Sequence, residues 1–198
     1  MLTNAALMLR NIPNVNKELW KLKAPLKFKI FLWYLRKGVI FTKDNLAKRN
    51  WQGSLSCASC HKEETIQHLF FDCRFARSVW SVFLMATGIN QPQNVDHMFG
   101  DWLQGFNSVL KPLLLLGAAV LCWALWICRN DLVFEKKILC SPLQVIHLAS
   151  QKLSSWAILQ REELRPLVVE GSRLLVRTTT VFFSRVHGWR SSLRIDCR

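Results

Sequence analysis

The stretch SLSCASCHKEETIQHLFFDC, residues 54–73, puts three cysteines and two histidines into twenty positions. Two residues separate Cys57 from Cys60, seven separate Cys60 from His68, and four separate His68 from Cys73. Zinc takes four nitrogen and sulfur ligands in a tetrahedron. Its structural sites pair a close cysteine couple on a tight turn with a second couple three to five residues apart. The spacing therefore predicts Cys57, Cys60, His68 and Cys73 as ligands of one Zn2+. Three thiolates and a neutral imidazole around Zn2+ leave one negative charge, which Lys62, Arg74 and Arg77 are placed to offset. A straight α-helix would turn His68 and Cys73 about 140° apart, so a bend or distortion is expected near Phe70 to Asp72.

Other readings of the same letters exist. CASCH, residues 57–61, satisfies the pattern for c-type haem attachment, but that reading leaves His68 and Cys73 without a role and offers no distal ligand. A thiol-disulfide site normally follows a strand and opens a helix, and no such pattern surrounds this one. His61 could replace His68, although its adjacency to Cys60 makes joint chelation awkward. Ordinary buried cysteines are the plainest alternative, and Cys122, Cys128, Cys140 and Cys197 read as such.

Upstream, LWKLKAPLKFKIFLWYLRKG, residues 19–38, reads as an amphipathic helix. Pro25 suits its first turn, Gly38 its end, and Phe28, Phe31, Leu32 and Leu35 share one face. A short helix follows in TKDNLAKRN, with Thr42 able to cap it and Asn50 able to stop it. Downstream, RFARSVWSVFLMATG predicts a helix with Phe75, Val79, Val82, Phe83 and Met85 at helical intervals, ended by Gly88. Residues 88–100 read as a loop. Leu113 to Cys128 is a run of sixteen residues without a charge. As a helix it spans about 24 Å, short of the roughly 30 Å bilayer core, so a buried helix is expected and a membrane partner is not. Trp123, Trp126 and Arg129 fall three apart, so that indole and guanidinium can stack. Beyond Cys140, SSWAILQREELRP reads as one more helix and LLVRTTTVFFSRV as a strand, by its β-branched and aromatic content.

The chain of 198 residues is 51% hydrophobic, enough for a sizeable core. Its net charge is +14, and residues 1–75 carry 13 basic against 5 acidic side chains. Such a balance favours polyanionic partners. Seven cysteines is an odd number, and MLTNAALMLRNIPN lacks the features of a secretory signal, so disulfides are not expected and an intracellular site, nuclear or cytoplasmic, is.

Taken in order, LWKLKAPLKFKIFLWYL, FTKDNLAKRNW, CASC and EETIQHLFFDCRFARSVW resemble the zinc-binding domain that follows the reverse transcriptase of plant non-LTR retrotransposons of the LINE type. The resemblance runs from about Leu19 to Trp80. WALWICRNDLVF is similar to the segment that precedes a ribonuclease H-like domain in these elements. The resemblance implies a zinc-stabilised accessory module of a retroelement polyprotein that contacts RNA or DNA, with a reverse transcriptase domain or another retroelement protein as a further partner. Neither the aspartate pair of a polymerase nor a ribonuclease H carboxylate constellation is present, so the chain reads as a non-catalytic fragment of such a reading frame, losing the family pattern near residue 140.

The expected architecture is mainly α: a small zinc-stabilised helical domain over residues 19–87, a helical segment over 88–137, and a poorly specified tail over 138–198. Lys21, Lys23, Lys27, Lys29, Arg36, Lys37, Lys43, Lys48 and Arg49 are the candidate nucleic-acid contacts. The rival function is a structural zinc module packed against another polyprotein domain, with that basic face merely solvated.

Overall fold

In the computed structural model the described residues are 17–134 and 141–187. Among them the elements are helical, apart from one antiparallel bridge between Ser56 and Glu63. The order begins with α1 (Lys17–Lys21), α2 (Leu26–Arg36) and α3 (Lys43–Ala47). A single π turn (His68–Asp72) leads into α4 (Arg74–Thr87), then come α5 (Val95–Phe99), α6 (Leu110–Phe134), α7 (Pro142–Trp156) and α8 (Arg165–His187).

α2 starts and stops where its sequence says. Pro25 holds the N-cap with φ −59°, and Phe28, Phe31, Leu32 and Leu35 form the buried face. At the far end Gly38 donates to Leu35 O (3.0 Å) and Val39 to Tyr34 O (3.1 Å), the paired bonds of a Schellman closure. Gly38 sits at φ +68°, where a side chain would be strained. α3 is capped differently from the expectation. The Thr42 hydroxyl donates to the Asp44 carboxylate rather than accepting a backbone N–H. Asn50, at φ +64°, turns the chain away after it.

α4 ends at Gly88, as its sequence requires, with φ +71°. Its buried face is Ala76, Val79, Trp80, Val82 and Phe83. Phe75 is only half-buried and Met85 is 49% exposed, so the face is rotated from the predicted one to bring the Trp80 indole inward. That ring stacks on Phe71 at 6.1 Å, and its N–H donates to Phe70 O (2.7 Å). Residues 88–100 are not all loop. Asn94 accepts the His97 N–H (2.8 Å) and caps α5, which buries Met98 and Phe99.

The apolar run lies within a helix longer than itself. α6 has 25 residues, about 38 Å at 1.5 Å per residue. By length and composition it is long and apolar enough to cross a membrane, so the argument from shortness does not hold. Burial is what distinguishes it: Leu115 to Cys122 are buried without interruption, hence all round the helix. Phe31 meets Trp123 edge-on at 4.8 Å, and Phe28 lies 4.8 Å from Trp156 of α7.

The expected tail carries two helices as far as residue 187. α7 opens with a capping box: Gln144 N–H donates to Ser141 Oγ (3.2 Å), Ser141 N–H donates to Gln144 Oε1 (2.7 Å), and Pro142 begins the helix. SSWAILQREELRP supplies the end of α7 and two short 3-10 turns, Ala157–Leu159 and Glu162–Leu164. The strand expected in LLVRTTTVFFSRV is overturned, because that segment lies inside α8. Val168, Ser172, Leu175 and Thr179 are buried at helical spacing, and Thr179 donates back to Leu175 O (2.6 Å). Packing of this stripe outweighs the β preference of its residues, which is a weak local bias. α7 and α8 pair through small residues, with Ser150 Oγ donating to Ser172 O (3.0 Å). One apolar core runs from Leu19 to Leu175 across all three of the expected segments.

Candidate metal centre

The first ligand pair sits on a tight hairpin. Glu64 N–H donates to Leu55 O (2.9 Å) and Cys57 N–H to Lys62 O (2.6 Å), which closes the turn on which Cys60 lies. His61, at φ +62°, supplies the left-handed residue that the reversal needs, and Ser59 N–H donates to Cys57 Sγ (3.5 Å). His61 is exposed and stands outside the cluster, so His68 is the histidine that the fold brings to the three cysteines.

The second pair is brought together by the expected distortion. Thr65 Oγ1 accepts the His68 N–H (3.1 Å), and the backbone then widens into the π turn, in which Cys73 N–H donates to His68 O (2.8 Å) five residues back. Cys73 leaves the turn with ψ 137° and serves as the N-cap of α4. A one-residue bulge and a change of direction thus replace the 140° separation of a straight helix.

The four donor atoms of Cys57, Cys60, His68 and Cys73 all lie within 4.8 Å of one another. Cys57 Sγ and Cys73 Sγ are 3.9 Å apart, and Cys60 Sγ and Cys73 Sγ 3.8 Å. A tetrahedron with Zn–S bonds of about 2.3 Å has S···S edges of about 3.8 Å, so the thiols hold the spacing of zinc ligands. They are far from the ~2.05 Å of a disulfide. Cys60 Sγ lies 3.0 Å from His68 Nε2. Hydrogen bonding from Cys73 depresses the Cys57 thiol to about 4 against the opposing effect of burial, while the same bond pushes Cys73 upward. A metal ion would permit all three thiolates at once.

Residues 4–80 match the family model described as zinc-binding in reverse transcriptase. All four ligand residues fall within that match, which spans under half of the chain and ends at Trp80. No curated protein and no solved structure matches the chain.

The nine candidate phosphate contacts differ in exposure and in partners. Lys43 is 8% exposed and its ammonium donates to Ser56 O, so it braces the hairpin and is removed from the candidate set. Lys29 donates to Trp20 O (3.0 Å), and burial, then the nearby Lys23, hold its ammonium below the usual lysine value. Lys48 reaches Asn45 Oδ1 (2.9 Å) and Asp44 (3.7 Å). Arg36 lies over Phe99 at 5.3 Å and Arg49 over Phe41 at 4.8 Å. Lys21, Lys23, Lys27 and Lys37 are exposed.

The sequence reading missed a buried ion pair behind the metal centre. Arg129 of α6 donates through Nε (2.9 Å) and Nη2 (2.5 Å) to Glu64 Oε1, which also accepts the Lys43 N–H (3.1 Å). Glu64 is 0% and Arg129 4% exposed, and Glu64 Oε2 has no partner. Arg129 Cζ also lies 5.1 Å from the Trp126 ring centroid, the stacking expected from their spacing. In HKEETIQH nothing but the hairpin's alternation marks Glu64 as inward and Glu63 as outward. Cys122 and Cys128 are buried as expected, and Cys140 and Cys197 lie outside the described residues.

Proposed function

We propose that the chain is a non-catalytic zinc-binding module of a plant LINE-type reverse transcriptase polyprotein and that it associates with RNA or DNA. The observation that carries this is the convergence of Cys57, Cys60, His68 and Cys73 at tetrahedral spacing inside a match to the zinc-binding family. Bound there, zinc would cross-link the hairpin to the π turn. Four protein ligands leave no position for water or substrate, which favours a structural role over metal-assisted catalysis. The ordered motifs from Leu19 to Trp80 support the retroelement origin, and the net charge of +14 supports a polyanionic partner.

The test has two parts. Purified chain is expected to carry one zinc by elemental analysis. Binding to single-stranded RNA is expected to weaken steeply with salt, by about 0.7 in the log-log slope per phosphate neutralised, or roughly −3 to −4 for four to six contacts. Absence of measurable RNA or DNA binding at physiological salt would sink the nucleic-acid half of the proposal. The exposed stripe Leu26, Ile30 and Tyr34 on α2, one turn apart, favours the runner-up, a module packed against another domain of the polyprotein.

A further inference from the structure

We propose that the cleft at the outer edge of the metal centre, rather than the basic α2 and α3 segment, is the phosphate seat for a nucleic-acid backbone. This rests on the nucleic-acid reading above and gives it a location. The cleft encloses about 340 Å³, and Ser59, His61, Lys62, Asp72 and Arg74 line it beside the ligands Cys60 and His68. Arg77 lies three residues along α4 from Arg74, one turn farther on.

Three observations converge on it. The side chains of Lys62, Arg74 and Arg77 are exposed and make no hydrogen bond or ion pair among the described residues. The cations of α2 and α3 are instead spent internally, on Trp20, Ser56, Asp44, Phe99 and Phe41. Those left free there, Lys23, Lys27 and Lys37, are dispersed, the last two some 15 Å apart along the helix. Finally, both walls of the cleft are fixed, one by the hairpin and one by the π turn and α4, so only the side chains of the donors, and not the backbone that carries them, need ordering on a phosphate.

Charge decides the sign of the ligand. Lys62, Arg74 and Arg77 oppose Asp72, which accepts from Gln67 Nε2 (3.3 Å), and the single negative charge of a zinc-loaded Cys3His cluster. The local excess is positive, which suits one or two phosphates. Lysine and arginine can hold phosphate through charge-assisted hydrogen bonds, with Ser59 and His61 as further donors. No side chain in this set is arranged to read a base, so sequence preference is expected to be slight.

The experiment measures fluorescence anisotropy of a labelled single-stranded RNA of about twenty nucleotides with the full zinc-loaded chain across a salt series. Two triple variants are compared, K62Q/R74Q/R77Q and K23Q/K27Q/K37Q, each checked for one zinc per chain. The cleft variant is expected to lose at least about tenfold in affinity at low salt and about 2 units of salt slope, three contacts at 0.7 each. The α2 variant is expected to change its slope by less than one contact. Equal losses in both variants, or loss in the α2 variant alone, would overturn the inference while leaving the nucleic-acid reading in place. If the wild-type chain binds no RNA, both fall. Should the cleft variant lose zinc, the single substitutions Lys62→Gln and Arg77→Gln decide, each expected to remove about 0.7 from the slope and overturning the inference if the slope is unmoved.

Discussion

The hairpin and π turn around residues 57–73 and the helical layer of α6, α7 and α8 reach order by opposite means. The first offers little regular structure: one β bridge, a five-residue π turn and four ligand side chains drawn to one point. The second buries eight consecutive residues of α6 on every side and closes with a serine-lined helix pair. A metal can therefore hold together a segment with little regular structure, here one whose Leu69, Phe70 and Phe71 also enter the core, whereas the helices hold by area removed from water.

The sharpest way to break that contrast is to remove the metal. Structural zinc in small finger peptides is worth an apparent ~10–16 kcal/mol at neutral pH, more than most small domains have in total. Treatment with a strong chelator is expected to open residues 54–80 to protease first, while much of the helical circular dichroism from α6 to α8 persists. Unchanged dichroism and cleavage would show that the ligands are not structural, and simultaneous loss everywhere would show one cooperative unit. Cys73→Ser is expected to abolish stoichiometric zinc, and Cys122→Ser to retain it.

A smaller effect is expected where the two regions are joined. Arg129→Met leaves the Glu64 carboxylate buried without its cation, a loss of about 3–5 kcal/mol in denaturant unfolding of the zinc-loaded chain. Adding Glu64→Gln removes the stranded charge yet keeps an acceptor for the Lys43 N–H, so the double variant is expected to be more stable than Arg129→Met alone. A double variant as unstable as the single one would mean that the side chain of Arg129 matters for packing rather than charge.

The effect that is smallest near neutral pH belongs to the helical layer alone. Burial pushes the Cys122 thiol from its ordinary 9.0 up to about 12. Above pH 9 the unfolded chain then releases a proton that the folded chain retains, so stability present below that pH falls as it rises toward 12. The slope is about 1.4 kcal/mol per pH unit at most. Cys122→Ala is expected to flatten this alkaline decline in unfolding free energy; an unaltered decline would assign it to other groups.

How far the sequence was legible follows the same division. The convergence of Cys57, Cys60, His68 and Cys73 and the need for a distortion could be read because metal spacing is a local code, and Cys73 N–H bonding to His68 O is the distortion foreseen. α2 was legible because Pro25, Gly38 and a four-residue apolar face all agree. α8 was not, since Thr178 to Phe183 favour strands locally and only the packing of Leu175 and Thr179 reverses that. The α6 ends were also hidden: a charge does not end a helix, so the helix runs on through the buried Arg129 to Phe134. Lys43 looked like a surface cation because a sequence does not show that a backbone carbonyl waits for its ammonium.

The Glu64–Arg129 pair also gives the chain a history during its synthesis. The carboxylate is 65 positions ahead of the guanidinium that receives it. At ribosomal rates of about 5–20 residues per second, Glu64 precedes its partner by roughly 3–13 s. Over that interval the last ligand, Cys73, has been made, so the nascent hairpin can take up metal while its inner side still faces water. Docking on α6 comes second, and it joins the residues of the family match, which ends at Trp80, to a core that continues beyond them.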